Sequence, residues 1–177
     1  VRSCLSTARP TTKDVGTQIY ETDTLRSRIW DGTYWLETDG PAYTWTAVLA
    51  SGGTLGNGTV VAKYHLRGWE MSWSIDWTLG STSVMGTDPK FSTPGTMTID
   101  NNGGLEMQAG SAMCRDAGTK WYNGTVLAYT AGDNVLSTTV IANDLSVTAT
   151  VPFTWTTGDR IVMQGVYRMD DVDAPTS

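Results

Sequence analysis

The sequence predicts an all-β protein, a small hairpin module followed by a β-sandwich of jelly-roll type. Three observations carry that reading. Residues 69–79 alternate strictly between large apolar and polar side chains, the period of a strand with one dry face. No window sustains the three-and-four spacing of an amphipathic helix, so almost no helix is expected. Nineteen glycines and many Ser and Thr punctuate a chain with eight Trp and only 17% charged residues, a composition suited to short strands and tight turns.

A length of 177 residues fits one main domain with a small appendage. Net charge is −6, with the twelve Lys and Arg scattered. Without a basic stripe to neutralise phosphates, nucleic acid is excluded as a partner. No apolar run approaches bilayer-crossing length and no basic-then-apolar leader opens the chain, so membrane insertion is not expected. Because the chain begins with Val1, an upstream segment remains compatible with this reading. Cys4 and Cys114 read as two idle thiols of a reducing compartment rather than a disulfide. Two isolated Cys and one His lack metal-binding spacing.

Taken in order, residues 1–16 show no core-forming periodicity and read as an extended attachment arm. Arg2, Leu5, Arg9, Pro10 and Lys13 are its contact residues. Residues 17–40 read as a module of three short strands. Ile19–Glu21 turns through Thr22-Asp23-Thr24 into Arg26–Trp30, and an Asp31-Gly32 type I′ turn leads into Tyr34-Trp35-Leu36. So small a meander cannot bury enough surface to stand alone. Its aromatic side, Tyr20, Trp30 and Trp35, is expected to meet a neighbouring domain or identical copies of the chain.

Residues 41–170 form the knob. Ala42–Leu49 reads as a strand with Tyr43, Trp45, Ala47 and Leu49 on one side, and Ser51–Gly58 as a flexible loop. Thr59–Leu66 is the hairpin partner of 69–79 across the turn Arg67-Gly68. That turn opposes Leu66 to Trp69, Tyr64 to Met71, Ala62 to Trp73 and His65 to Glu70. The stripe Trp69, Met71, Trp73, Ile75 and Trp77 is then core or subunit interface. Gly80–Pro94 reads as a long polar connection anchored by Phe91, Thr96–Ile99 as a short strand and residues 100–104 as a loop tip. Further strands are expected at 105–114, 121–129, 135–141, 145–150 and 160–169. Gly118, Gly132-Asp133, Asn143-Asp144 and Gly158-Asp159 separate them, which is sandwich or jelly-roll spacing. Residues 171–177 read as an acidic, solvated tail.

Two stretches carry a resemblance. Arg9-Pro10, Gly16, Ile19-Tyr20-Glu21-Thr22-Asp23 and Trp30-Asp31-Gly32 through Trp35 resemble a module common in bacteriophage virion proteins. More loosely, they resemble the trimerising fibritin foldon. Ala62-Lys63-Tyr64, Arg67-Gly68, Thr78-Leu79-Gly80-Ser81-Thr82, Asp116-Ala117-Gly118-Thr119 and Pro152-Phe153-Thr154-Trp155-Thr156-Thr157-Gly158-Asp159 follow the order of a C-terminal domain of phage minor tail and other virion surface proteins. The resemblance implies a foldon-like module and a β knob carried as a homotrimer on the virion, assembled in the host cytoplasm. The partners it implies are other copies of the chain and the tail or major capsid protein. The absence of a long repetitive stem departs from fibre proteins and makes the chain a knob.

Candidate chemistry is sparse. His65 opposite Glu70 reads as an ordinary cross-strand charge pair, with no nucleophile signature elsewhere. Glu70 and Asp76 share a strand face, but six residues at ~3.3 Å set them roughly 20 Å apart, whereas glycosidases need about 5 to 9.5 Å. Asp100-Asn101-Asn102-Gly103-Gly104 reads as a turn, not a calcium loop. No catalytic residue, cofactor or metal is therefore expected. Trp121 and Tyr122, beside a Gly-rich turn, are candidates for contact with a host-cell glycan. The leading expectation is a non-enzymatic virion structural protein, at the tail tip or as a capsid decoration. The alternative is a host-glycan-binding recognition module.

Overall fold

The computed structural model describes residues 1–94, 97–100, 107–128, 135–140 and 145–169, and among them the chain is almost wholly β. The turns expected at Gly132-Asp133 and Asn143-Asp144, the loop tip beyond Asp100, the start of the strand expected at Thr96 and the acidic tail lie outside the described residues. Arg2–Cys4 (β1), Gln18–Glu21 (β2), Arg26–Trp30 (β3) and Trp35–Asp39 (β4) form a first sheet in that order. β1 runs parallel to β2, and the other pairs are antiparallel.

β1 corrects the expectation of an extended arm divided from the module at residue 16. Its backbone groups need partners, and they find them along β2. Thr22 N–H donates to Cys4 O (3.0 Å), and Ser6 donates to the Asp23 carboxylate through both its backbone N–H (2.9 Å) and its hydroxyl (2.5 Å). A single 3-10 turn, Ser6–Ala8, follows β1. The β3–β4 connection is also not the expected type I′ turn. Trp30 pairs with Trp35, leaving the four residues 31–34 as loop. Asp31 Oδ1 accepts from the N–H groups of Thr33 and Tyr34, each at 2.7 Å. Only Gly32 takes a positive φ, where a type I′ turn needs two.

The second sheet comprises Tyr43–Thr44 (β5), Leu49–Thr54 (β6), Thr59–Arg67 (β7), Glu70–Thr78 (β8), Val84–Ser92 (β9), Met107–Asp116 (β10), Lys120–Ala128 (β11), Val135–Val140 (β12), Leu145–Ser146 (β13) and Arg160–Arg168 (β14). Its hydrogen-bonded order is β5-β7-β8-β14-β10-β11-β12-β9-β6, with β13 beside β12. Trp77 of β8 meets Phe91 of β9 edge to face at 5.7 Å, although four strands separate them in that order. The sheet therefore folds back on itself into a sandwich-like pair of layers around one apolar core. Residues 45–48 cross between the layers. Trp45 N–H bonds to Ala62 O in β7, and Val48 O accepts from Ser92 N–H in β9. At the opposite corner Asn57 ties the two crossing loops. Its side-chain oxygen accepts from Thr82 N–H (2.9 Å), and its amide donates to Ser81 Oγ (3.1 Å).

The β7–β8 hairpin keeps the expected faces but slips by two residues. Leu66 opposes Met71, Tyr64 opposes Trp73, Ala62 opposes Ile75 and Val60 opposes Trp77. The loop is Gly68-Trp69, because glycine can supply the positive φ (62°) at the first loop position. An even slip preserves which side chains face inward. Met71, Trp73, Ile75 and Trp77 are buried as expected, but Trp69 sits half-buried in the turn.

Two expected connections are strands. β6 and β9 hide their alternation behind bulges, with Gly52, Gly53 and Asp88 at positive φ and register shifts along the β6–β9 pair. A side-chain carbon on Gly52 or Gly53 would collide with the backbone of Asp88 or Val84, so only glycine admits that approach. The single-strand reading of 42–49 fails for another reason. β5 pairs β7 and β6 pairs β9, so the run changes layers, while Tyr43, Trp45, Ala47 and Leu49 still turn toward the core.

Cys114 is fully buried, and burial pushes its thiol pKa up to about 12; it and Cys4 are free thiols. Trp77→Ala removes the side chain that meets Phe91 across the core. It is expected to destabilise the knob by about 3–5 kcal/mol, read as a lower urea midpoint at unchanged m-value. Gly165→Ala places a carbon against the carbonyl of Ala109 and is expected to lower the midpoint as well.

Candidate functional site

The first sheet is too small to form an apolar interior, and it buries charge instead. Strand alternation and register bring Glu21 opposite Arg26 and Arg28 opposite Glu37, and all four side chains are buried. Arg9 Nε donates to Glu21 Oε1 (2.5 Å), and Thr24 Oγ1 donates to Glu21 Oε2 (2.8 Å). Arg28 Nε lies 3.1 Å from the same Oε1, close enough for charge attraction but not aligned for a hydrogen bond. Arg26 Nη1 donates to Glu37 Oε1 (2.6 Å), and Arg28 Nη2 lies 3.8 Å from Glu37 Oε2. Burial opposes ionisation of Glu21. The hydrogen bonds from Arg9 and Thr24 and the charge of Arg28 outweigh it, holding the carboxyl below its ordinary pKa.

This cluster fastens the module to the knob. The Tyr43 phenol donates to Glu37 Oε2 (2.8 Å), and the Arg26 guanidinium lies over the Tyr43 ring at 3.4 Å. Tyr43 in turn stacks on Tyr64 of β7 at 4.8 Å. Gly68 N–H, in the β7–β8 turn, donates to Glu37 O (2.6 Å). Burial, and then Glu37, push the Tyr43 pKa up. Sequence reading missed this group. Its signal was charge at strand period, Arg26 and Arg28 with Glu37, in strands offering little else to bury.

Trp30 and Trp35 follow on the same strand face as Arg26, Arg28 and Glu37, and both are half-buried. Trp30 and Trp35 lie 5.6 Å apart, with Lys13 Nζ 3.7 Å above the Trp30 ring and 5.4 Å from that of Trp35. Tyr34, 39% exposed, meets Trp69 edge-on at 6.1 Å. Trp30 and Trp35 close the end of β3 and β4, and Tyr34 in the loop between them bridges to Trp69 of the knob; these two ring pairs are the aromatic ledge. Tyr20 is not part of it. Tyr20 pairs with Ser27, so alternation puts it on the face opposite Trp30, and the expected Tyr20–Trp30–Trp35 side does not exist as one surface. Of the expected arm contacts, Arg9 and Lys13 are engaged within the module, Pro10 is half-buried, and Arg2 and Leu5 are exposed.

On the knob, His65 opposes Ser72 and not Glu70, which pairs with Arg67. His65 lines an open polar groove of about 540 Å³ with Thr38, Asp39, Arg67, Glu70 and Ser72. Trp121 and Tyr122, being consecutive on β11, point to opposite faces and cannot form one platform. Trp121 is 47% exposed, whereas Tyr122 is half-buried against Phe153 at 5.3 Å. Among the described residues no group of three His, Cys, Asp or Glu side chains is placed to hold a metal. No family model, curated protein or solved structure matches the chain.

A carboxyl whose folded-state pKa is depressed adds stability above its unfolded pKa and loses it as pH falls through the folded value. Lowering pH from 7 toward 3 is therefore expected to loosen the module, with the loss setting in below about 4.3. Glu21→Gln should lower the melting temperature at pH 7 and flatten this acid limb, as read by tryptophan fluorescence.

Proposed function

We propose that the chain is a non-enzymatic structural protein of a bacteriophage virion. In this reading it is a surface knob of jelly-roll type, at the tail tip or on the capsid, that assembles as a homotrimer and contacts neighbouring virion proteins. The observation that carries the assembly reading is the pair of ring contacts, Trp30–Trp35 on the module and Tyr34–Trp69 between module and knob, beside an interior that is ionic. Burying a large apolar side chain contributes about 1.5–3 kcal/mol. Repeated over several copies, these rings supply a drive for association that the interior does not use. A closed symmetric assembly also covers sheet edges that would otherwise pair at random.

The virion setting and the threefold rest on the motif order that resembles phage modules. Docking through the Glu37, Arg26 and Tyr43 cluster supports the picture, because a knob fastened to its assembly module transmits a fixed orientation to the particle. Light scattering on the recombinant chain should give a mass near three times 19.1 kDa. Trp35→Ala and Tyr34→Ala, which cut the ledge but leave the charge cluster in place, should shift the mass toward monomer while the knob's unfolding midpoint stays near the parent value. A well-folded monomer of the parent chain at high concentration overturns the assembly reading.

A further inference from the structure

The open face of the knob carries an arrangement that self-assembly through the module does not explain. Cross-strand pairing sets Arg160 of β14, Arg115 of β10 and Trp121 of β11 side by side in one row. Two arginines directly opposite each other repel unless a negative charge intervenes. Asp76 answers for one of them. Arg160 Nε donates to Asp76 Oδ1 at 2.6 Å, and Arg160 Nη2 meets Asp76 Oδ2, a two-point pair that uses the whole carboxylate. Arg115 has no carboxylate partner among the described residues. Its guanidinium carbon lies 5.3 Å from the centre of the Trp121 ring. A half-buried guanidinium with no carboxylate partner among the described residues thus stands beside a half-exposed indole on a protein whose net charge is −6.

The next positions along the same strands extend the site. A shallow trough of about 370 Å³ begins two residues from the row, with Met113, Asn123 and Val162 at its near end and Ser111 and Gln164 beyond. That volume lies within the roughly 300–1,000 Å³ of small-ligand sites. Its lining combines two carboxamides and a hydroxyl, which can donate and accept, with low apolar side chains on a strand surface. Sugars present that combination of hydroxyl edges and apolar ring faces, and an exposed indole stacks against a sugar ring face. The guanidinium adds one requirement, a planar or tetrahedral anion that it can hold by two parallel hydrogen bonds.

We infer that Arg115, Trp121 and the trough lined by Asn123, Gln164 and Ser111 form a binding site for an anionic saccharide, a glycan bearing carboxylate or phosphate. Arg115 holds the anion, Trp121 stacks on the sugar that carries it, and the trough receives the adjoining residue. Asp76 keeps Arg160 from competing for the anion while leaving its positive charge close by. The site shares no residue with the aromatic ledge, so it stands independently of the assembly reading.

Calorimetric titration of the full chain with three probes tests the assignment. These are a tetrasaccharide of alternating glucuronate and N-acetylglucosamine, a short oligomer of N-acetylglucosamine joined by phosphodiesters, and the uncharged tetrasaccharide of N-acetylglucosamine. One or both anionic probes should bind, more weakly as salt is raised, and their ranking identifies the source of the anion. Arg115→Gln and Trp121→Ala should each weaken that binding by about tenfold or more. Arg67→Gln, at the far end of the same face, should leave it unchanged. Both test substitutions are at the surface, and an unaltered thermal melt verifies their fold. No binding of either anionic probe, equal binding of the uncharged one, or binding that survives Arg115→Gln overturns the proposal.

Discussion

The dry face of β8 is the constraint from which the knob follows. Met71, Trp73, Ile75 and Trp77 lie on one side of a single nine-residue strand, and all are buried. The neighbours β7 and β14 widen that face but cannot cover it, because they belong to the same layer. Cover has to come from above, and it comes from Met85 and Phe91 on β9. Bringing β9 over β8 forces the hydrogen-bonded sheet to fold back and sends residues 45–48 from one layer to the other. It also makes a corner where the loops 55–58 and 79–83 must pass side by side. Asn57 holds that corner by hydrogen-bonding backbone and hydroxyl groups of the adjacent loop.

The module solves the same problem with the opposite chemistry. Its enclosed side chains are Glu21, Arg26, Arg28 and Glu37, joined by Ile19. An ionic interior of this kind yields little net stability over an apolar one, since the desolvation of each charge offsets most of the attraction. What it demands is geometry, because each carboxylate oxygen must find its donor. Tyr43 is one of those donors, and Gly68 N–H binds the backbone carbonyl of Glu37; both belong to the knob side. The ionic cluster therefore determines how the module sits more than how firmly it folds. Trp30 and Trp35 share the strand face of Arg28 and Glu37 and close its end, beside the loop that carries Tyr34.

The all-β class, the buried stripe and most strands of the second half were legible because period-two alternation survives any local detail. Even the wrong hairpin register left every inward residue but Trp69 correct, since the slip was by two. The misses share one cause, which is that backbone behaviour is not written in side-chain alternation. β6 and β9 were hidden by bulges at Gly52, Gly53 and Asp88, where the chain leaves strand geometry and resumes it. β1 was hidden because a three-residue parallel edge strand carries no period to detect. Of the surfaces, Trp30 and Trp35 were legible as under-buried rings. The grouping with Tyr34 and Trp69 was not, because it depends on a turn position. Arg115 and Arg160 lie 45 residues apart, and only strand pairing makes them neighbours.

The place of β14 has a consequence for the order in which the knob can be completed during synthesis. β14 is the last described strand in the chain, yet it sits between β8 and β10, paired along its length to β8 and over five residues to β10. Until residues 160–168 have left the ribosome, β8 and β10 have no bridge between them. Each presents an unpaired edge, and the tryptophan stripe lies in a layer with a gap at its centre. The nascent knob is thus a collection of hairpins, and its cooperative closure must wait for that strand. A chain interrupted before residue 160 retains nearly all of the apolar surface while lacking the strand that joins it, the condition in which open β edges recruit one another into aggregates.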